Sequence, residues 1–194
     1  MKEVVEFFDL HAYNWDSYLR ARDFDVGKKI LARAKASRLD SVLDVACGTG
    51  VLEPLLKERG VNIITAVDIS SKMGEVFSRK YPDIKFVHGD YHDSSLFLPE
   101  SFSLIIIYNA FPHFEEPQKI VLSASRQLIG GGRLIIAHSM NRTELNLKHK
   151  EVGGIVGNHI LVCDDEIRRM LEIAGFSDIL IEDTEYFYTF AVKK

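Results

Sequence analysis

Cysteine is scarce: the 194 residues hold two, Cys47 and Cys163, far apart and in no metal-ligand spacing. Isolated thiols suit a reducing compartment and argue against a disulfide framework or a cysteine-based zinc site. No apolar run is long enough to cross a membrane, and the stretch from Met1 to Asp9 sets acids among its apolar residues, unlike a secretory leader. Basic residues form no long run and the formal net charge is −4, so phosphate-driven binding to nucleic acid gets no support. Repeats, low-complexity tracts and linkers are lacking as well. The expectation is one cytoplasmic domain over residues 1–194, with neither membrane nor nucleic acid as partner.

What the chain does have is a regular alternation of short apolar runs and amphipathic stretches. Hydrophobic residues make up 46% and charged residues 27%, the balance of a water-facing globular chain. Residues 42–46, 63–68, 84–87, 102–108 and 133–137 read as strands separated by helices. The run Phe102-Ser103-Leu104-Ile105-Ile106-Ile107-Tyr108 is nearly all apolar, which marks a central strand. Ser70 or Ser71 is placed to cap the helix carrying Met73, Val76 and Phe77. Pro117 opens a helix through Leu128 that Gly130, Gly131 and Gly132 stop, and Asp164 caps a helix over residues 165–174.

Strands alternating with helices imply right-handed crossovers and a parallel sheet covered on both faces. The last two strands, 179–182 and 186–192, lie too close in sequence for a crossover and should pair antiparallel. The expected fold is an α/β three-layer sandwich with a seven-stranded, mostly parallel sheet. Residues 1–36 form a helical extension whose aromatic stretch, 7–18, packs on the sheet or closes as a lid, with Tyr13, Trp15 or Tyr18 excluding water. Residues 138–163 are too long for a simple connection and carry Gly153, Gly154 and Gly157 as hinges, so they are expected to cover a ligand site.

The junction Asp44-Val45-Ala46-Cys47-Gly48-Thr49-Gly50 organises this alternation. A strand runs into a glycine turn and then into Val51, Leu52, Leu55 and Leu56 on one helical face. Glycine lets a ligand approach the backbone there, and a helix start offers free N–H groups. A pyrophosphate-binding turn would place its third glycine at position 53, where this chain has Glu53. The occupant is therefore expected to lack phosphate, and Asp44 suits a cationic ammonium group. Asp68 ends the second strand, where a carboxylate accepts both hydroxyls of a ribose.

The motif Asp44-x-Ala46-x-Gly48-x-Gly50 resembles the Asp/Glu-x-Gly-x-Gly-x-Gly of class I S-adenosylmethionine-dependent methyltransferases, with alanine for the first glycine and still on the strand. The likeness spans nearly the whole chain. It is greatest to the ubiquinone/menaquinone-biosynthesis-like (methyltransferase type 11) group, whose segment after strand four is echoed by residues 109–117. The resemblance implies a Rossmann-like sheet of order 3-2-1-4-5-7-6 with strand 7 antiparallel, and S-adenosylmethionine lying across the carboxyl ends of strands one and four. On this reading Asp44, Ala46, Gly48, Gly50 and Asp68 hold the cofactor, with Ile69 and Met73 as apolar cover. Asp90 accepts the adenine amino group, the Tyr91 backbone lies beside the ring, and Asn109 faces the methionine portion or the reacting methyl.

Methyl transfer from a sulfonium is a direct displacement, so alignment and exclusion of water dominate; a base is needed only for an acceptor that arrives protonated. His113, just past strand four, and His138, just past strand five, are the candidate catalytic residues. Arg142, Lys148 and Lys150 would bind an anionic acceptor. Asn109-Ala110-Phe111-Pro112 lacks the adjacent prolines of enzymes that methylate nucleic-acid bases. Asn109 and His138 stand where magnesium-dependent relatives place acids, so no metal is expected. The function read here is methyl transfer from S-adenosylmethionine to an O, N or C atom of a small molecule. The alternative is a non-catalytic S-adenosylmethionine-binding module, a sensor or supporting subunit, and a homodimer is left open.

Overall fold

The computed structural model describes residues 2–194 and follows the expected alternation. Helix α1 (Lys2–His11), a 3-10 segment (Ala12–Tyr18) and α2 (Ala21–Arg33) lead into β1 (Ser41–Val45). There follow α3 (Glu53–Glu58), β2 (Ile63–Asp68), α4 (Ser71–Lys80), β3 (Lys85–His88), β4 (Phe102–Tyr108), α5 (Pro117–Gln127) and β5 (Leu128–His138). Helices α6 (Arg142–Val152) and α7 (Asp164–Ile173) precede β6 (Phe176–Asp183) and β7 (Phe187–Lys193). The sheet order is β3-β2-β1-β4-β5-β7-β6, with β7 antiparallel to both of its neighbours and the other pairings parallel. This is the topology expected, and among the described residues no helix is long and apolar enough to cross a membrane.

Side-chain alternation along the strands builds two cores, one per face. Leu43, Val45, Ile105, Ile107, Leu134 and Ile136 pack with Ile120 and Val121 of α5 and Ile167 and Leu171 of α7. Val42, Leu104, Ile106, Ile135 and Ala137 pack on the other side with Ile30 and Leu31 of α2 and Leu55 and Leu56 of α3. Residues Leu104 to Ile107 are all 0% exposed, which fixes β4 as the central strand. A buried central strand holds its carboxyl end rigidly, and that end is where the site begins.

Three local expectations are corrected. β1 stops at Val45, and Ala46 turns out of the sheet with φ +54° rather than continuing the strand. Helix α5 ends at Gln127, ahead of the glycines, and Gly130 to Gly132 lie within β5, where a register irregularity between Phe102 and Leu104 absorbs them. Cys163 occupies the cap position of α7, and the Asp164 carboxylate bonds the Arg142 guanidinium instead of a backbone amide. Within residues 138–163, Asn141 caps α6 by accepting the Glu144 N–H at 2.9 Å, and positive φ at Gly153 and Gly154 turns the chain back.

The N-terminal segment is tied to the carboxyl side of the sheet by side chains. Asp9 accepts the Ser70 hydroxyl at 2.5 Å, Asp16 accepts the Thr49 hydroxyl at 2.5 Å and pairs with Lys80 at 2.8 Å, and Tyr13 donates to Glu75. Arg22 reaches Glu144 at 2.8 Å and so joins α2 to α6. Both coverings of that rim are anchored to each other as well as to the sheet.

Candidate functional site

A cavity of about 700 Å³ opens at the carboxyl ends of β1, β2, β4 and β5, within the range of small-molecule sites. The sheet supplies its floor through Ala46, Gly48, Asp68, Asn109 and His138. Phe7, Phe8, His11, Trp15 and Tyr18 form one wall, and Met140, Leu145, Lys148, His149, Val152 and Val156 another. Phe8 meets Trp15 edge-on at 5.5 Å and His113 at 5.3 Å, so an aromatic seam runs from the N-terminal segment to the loop after β4.

The glycine turn is shaped less for an anion than its sequence implies. Gly48 gives its N–H to the Asp68 carboxylate at 2.8 Å, and the helix that follows starts only at Glu53 and is short. Gly50 has φ +89°, and a Cβ there would come within 2.4 Å of the Tyr81 ring, whose hydroxyl donates to the Gly50 carbonyl at 2.9 Å. Glycine is required at that position by both backbone and neighbour. Ala46 takes a left-handed conformation with a side chain that disfavours it, at a strain of roughly 1–2 kcal/mol. Ala46→Gly is therefore expected to stabilise the fold by about 1 kcal/mol after the entropy of the freer unfolded chain, a rise of roughly 2–4 °C in Tm. A calorimetric scan showing a lower Tm would place other constraints on that turn.

Asp44 does not reach the cavity. It is 1% exposed, beneath the turn, near Glu53, which is 0% exposed, and neither side chain lines the site. Burial, then the neighbouring Glu53, pushes the Asp44 carboxyl well up; burial pushes Glu53 up to about 7. The two do not both carry charge at neutral pH, because adjacent buried carboxylates do not both ionise. Glu53 thus faces inward and is not a neighbour of the bound ligand. Gly50 also lies outside the lining, on the Tyr81 side of the turn.

Asp68 lines the cavity with one oxygen on Gly48 N–H and the other on Ser70 N–H, each at 2.8 Å. A carboxylate has about four acceptor positions, so two remain. Asp90 lines it too and accepts from the backbone and ring of His92, at 3.0 and 2.8 Å. Ile69 and Met73 line it as well. The Tyr91 hydroxyl turns away into the core to meet Gln127 at 2.7 Å. Asn109, at φ +55°, accepts the Ser139 N–H at 2.8 Å and donates to Asp23 at 3.2 Å. That amide clamps β5, β4 and α2 together.

Histidines dominate the far end. His138 is 1% exposed with neither ring nitrogen partnered among the described residues, and burial pulls it down to about 3. His113 is held well below its ordinary value by burial and then by the other histidines. His149 lines the cavity, its Nδ1 on the His159 carbonyl, and is likewise lowered by burial. All three are neutral at physiological pH, so each carries a lone pair, and the burial that keeps them neutral also weakens them as bases.

Arg142 is corrected as an acceptor ligand, since Asp164, Asp183 and the Val162 carbonyl occupy its guanidinium. Lys148 lines the cavity and Lys150 does not; Trp15 and Tyr18 line it and Tyr13 does not. Missed in the sequence were Asp23, Arg20 and Tyr108, all lining the site. The spacing of Arg20 and Asp23, an acid three residues into α2 that accepts the Arg20 N–H at 2.8 Å, was the available signal.

Residues 43–136 match the family model described as a methyltransferase domain. The chain is 32% identical over 140 residues to demethylmenaquinone methyltransferase of Thermotoga maritima, covering 70% of this chain and 61% of that protein's length. Among solved structures, a chain of the complex between the Haloferax volcanii Trm112 methyltransferase activator and a methyltransferase matches with TM-score 0.78 and 22% identity, over 95% of this chain and 96% of that one. A SAM-dependent methyltransferase from Aquifex aeolicus matches with TM-score 0.75 and 18% identity, over 96% and 98%.

Proposed function

The chain carries a methyltransferase domain, and from that premise we propose an enzyme that transfers a methyl group from S-adenosylmethionine to an O, N or C atom of a small molecule. One observation carries the reading: the cavity joins a half suited to an adenosyl group to a half lined by neutral histidines and aromatic rings. The first half fits a phosphate-free nucleoside. Its carboxylates, Asp68 and Asp90, suit hydroxyl and amino groups, and Ile69 and Met73 suit the flat faces of a base. Gly48 leaves open the space where a Cβ would stand 3.9 Å from Trp15. When bound, the sulfonium supplies an electrophilic methyl group.

The chain's own residues then do three things. Asp68 and Asp90 hold the adenosyl portion, and Arg20, beside Asp23 and Asn109, suits the carboxylate of its amino-acid end. Phe8, Trp15 and the α6 side chains keep water from the reacting atoms. His113 and His138 remain as the bases for an acceptor that arrives with an O–H or N–H. The quinone-pathway name of the Thermotoga relative and the apolar walls favour a flat, largely apolar acceptor over nucleic acid. A cytoplasmic site of action belongs to the same reading. The non-catalytic alternative is less favoured, because a cofactor-only module has no use for the histidine half.

Calorimetric titration tests the reading. S-adenosylmethionine and its demethylated product, S-adenosylhomocysteine, are expected to bind, and NAD is not. Tight NAD binding without S-adenosylmethionine binding would overturn it. Turnover of S-adenosylmethionine in a screen of phenols, quinols and amines then separates enzyme from module.

A further inference from the structure

Methyl transfer does not by itself require linked imidazoles, yet His113 Nδ1 lies 2.8 Å from His159 Nδ1. Two ring nitrogens at that distance hold one proton between them, since two lone pairs repel and two N–H groups collide. The surroundings decide which ring owns it. His113 lies against Phe8 and lines the cavity, and among the described residues no hydrogen bond engages its Nε2. His113 is the more deeply buried of the two rings, so a proton on its Nε2 would be less well hydrated than one on His159. His159 is half-buried, faces the Glu115 charge and can hydrate its own Nε2–H. The proton between the rings therefore belongs to His113. The His159 backbone carbonyl meanwhile accepts from His149 Nδ1, which sets the His149 ring 5.2 Å from that of His113.

We infer that His159 is a positioning residue for His113: its Nδ1 accepts the His113 Nδ1–H and so leaves His113 Nε2 as a bare lone pair on the cavity side. The inference rests on the reading of His113 as a base. When the acceptor's X–H bond breaks, its electron pair stays on X and the proton bonds to His113 Nε2. The imidazolium keeps its Nδ1–H on His159, the two rings spread the added charge, and the pair returns the proton to water as product leaves. A neutral partner at this place orients the ring without pre-charging it, as a carboxylate would.

The test uses the whole chain, labelled with ¹⁵N and without ligand. Long-range ¹H–¹⁵N correlation at neutral pH reads each histidine's tautomer. The expected result is His113 protonated at Nδ1, loss of that preference in His159→Leu, and its retention in His159→Gln, whose amide oxygen can still accept. S-adenosylhomocysteine affinity within about threefold of the parent's serves as the folding control for both variants. His113 protonated at Nε2 in the parent protein, or an Nδ1–H preference that survives His159→Leu, would overturn the inference. If His159→Leu does not fold, the parent and His159→Gln spectra decide. Failure of the base reading shows elsewhere: full turnover in His113→Ala removes the base and leaves the tautomer result unchanged.

Discussion

Asp68→Ala weakens S-adenosylmethionine binding by about ten- to a hundredfold, the loss of a hydrogen-bonded carboxylate worth roughly 1.5–3 kcal/mol. The effect is large because Asp68 does two jobs with one group. Its inner acceptor positions take the amides of Gly48 and Ser70, which holds the glycine turn against the start of α4. It also lines the cavity, where vicinal hydroxyls would meet its remaining acceptor positions. Alanine removes the ligand contact and leaves two amide donors without acceptors, so some loss of Tm accompanies the loss of affinity. Asp68→Asn separates the two contributions: it keeps one oxygen for an amide but offers an NH₂ where the other amide needs an acceptor. Calorimetric affinity for S-adenosylmethionine, measured on variants shown to be folded, checks the prediction. Unchanged affinity would take Asp68 out of the site.

The topology was legible because it depends on features a sequence displays directly. Strand Phe102–Tyr108 is apolar enough to be buried on both faces, and the short gap before the last strand forbids a crossover. Local geometry was less legible. Nothing in the string Val45-Ala46-Cys47 says that the alanine bends to φ +54°; a motif position usually filled by glycine was the only hint. At the site, the sequence order places Asp68, Asp90, Asn109, His113 and His138 at strand ends, and the cavity touches all five. It does not say which way a side chain points. Asp44 has the right position in the motif and faces Glu53 beneath the turn, outside the cavity, because the strand's alternation directs it there. Arg142 looked free in a basic stretch, but β6 brings Asp183 to it from a distant part of the chain. The pairing of His113 with His159 has the same origin, since its partners are brought together only when α6 and the segment after it fold over the cavity.

The buried acids beneath the turn give the second large effect: Glu53→Gln raises stability at pH 8 by on the order of 2 kcal/mol, about 4–8 °C in Tm, and changes it little at pH 5. Glu53 titrates near 7 in the folded protein because burial disfavours its charge, against an ordinary value of 4.5. A carboxyl raised by folding contributes stability that is complete below its unfolded value and is lost as pH rises through its folded one. The parent protein should therefore lose stability between about pH 4.5 and 7. Asp44, raised for the same reason and by Glu53 itself, deepens that loss. Glutamine cannot ionise, and its NH₂ can donate to Asp44, which is then free to carry the single negative charge of the pair. The Cys47 thiol beside them is pushed up by burial and by all three nearby carboxylates, so it does not compete for that charge. Because the pair holds one negative charge in both proteins at neutral pH and neither carboxyl lines the cavity, S-adenosylmethionine affinity should change by less than about threefold. Differential scanning calorimetry from pH 5 to 9 should show a falling Tm for the parent and a shallower fall for the variant, in which buried Asp44 still titrates. Parallel curves would mean that Glu53 keeps an ordinary pKa and that the acids under the turn are solvated.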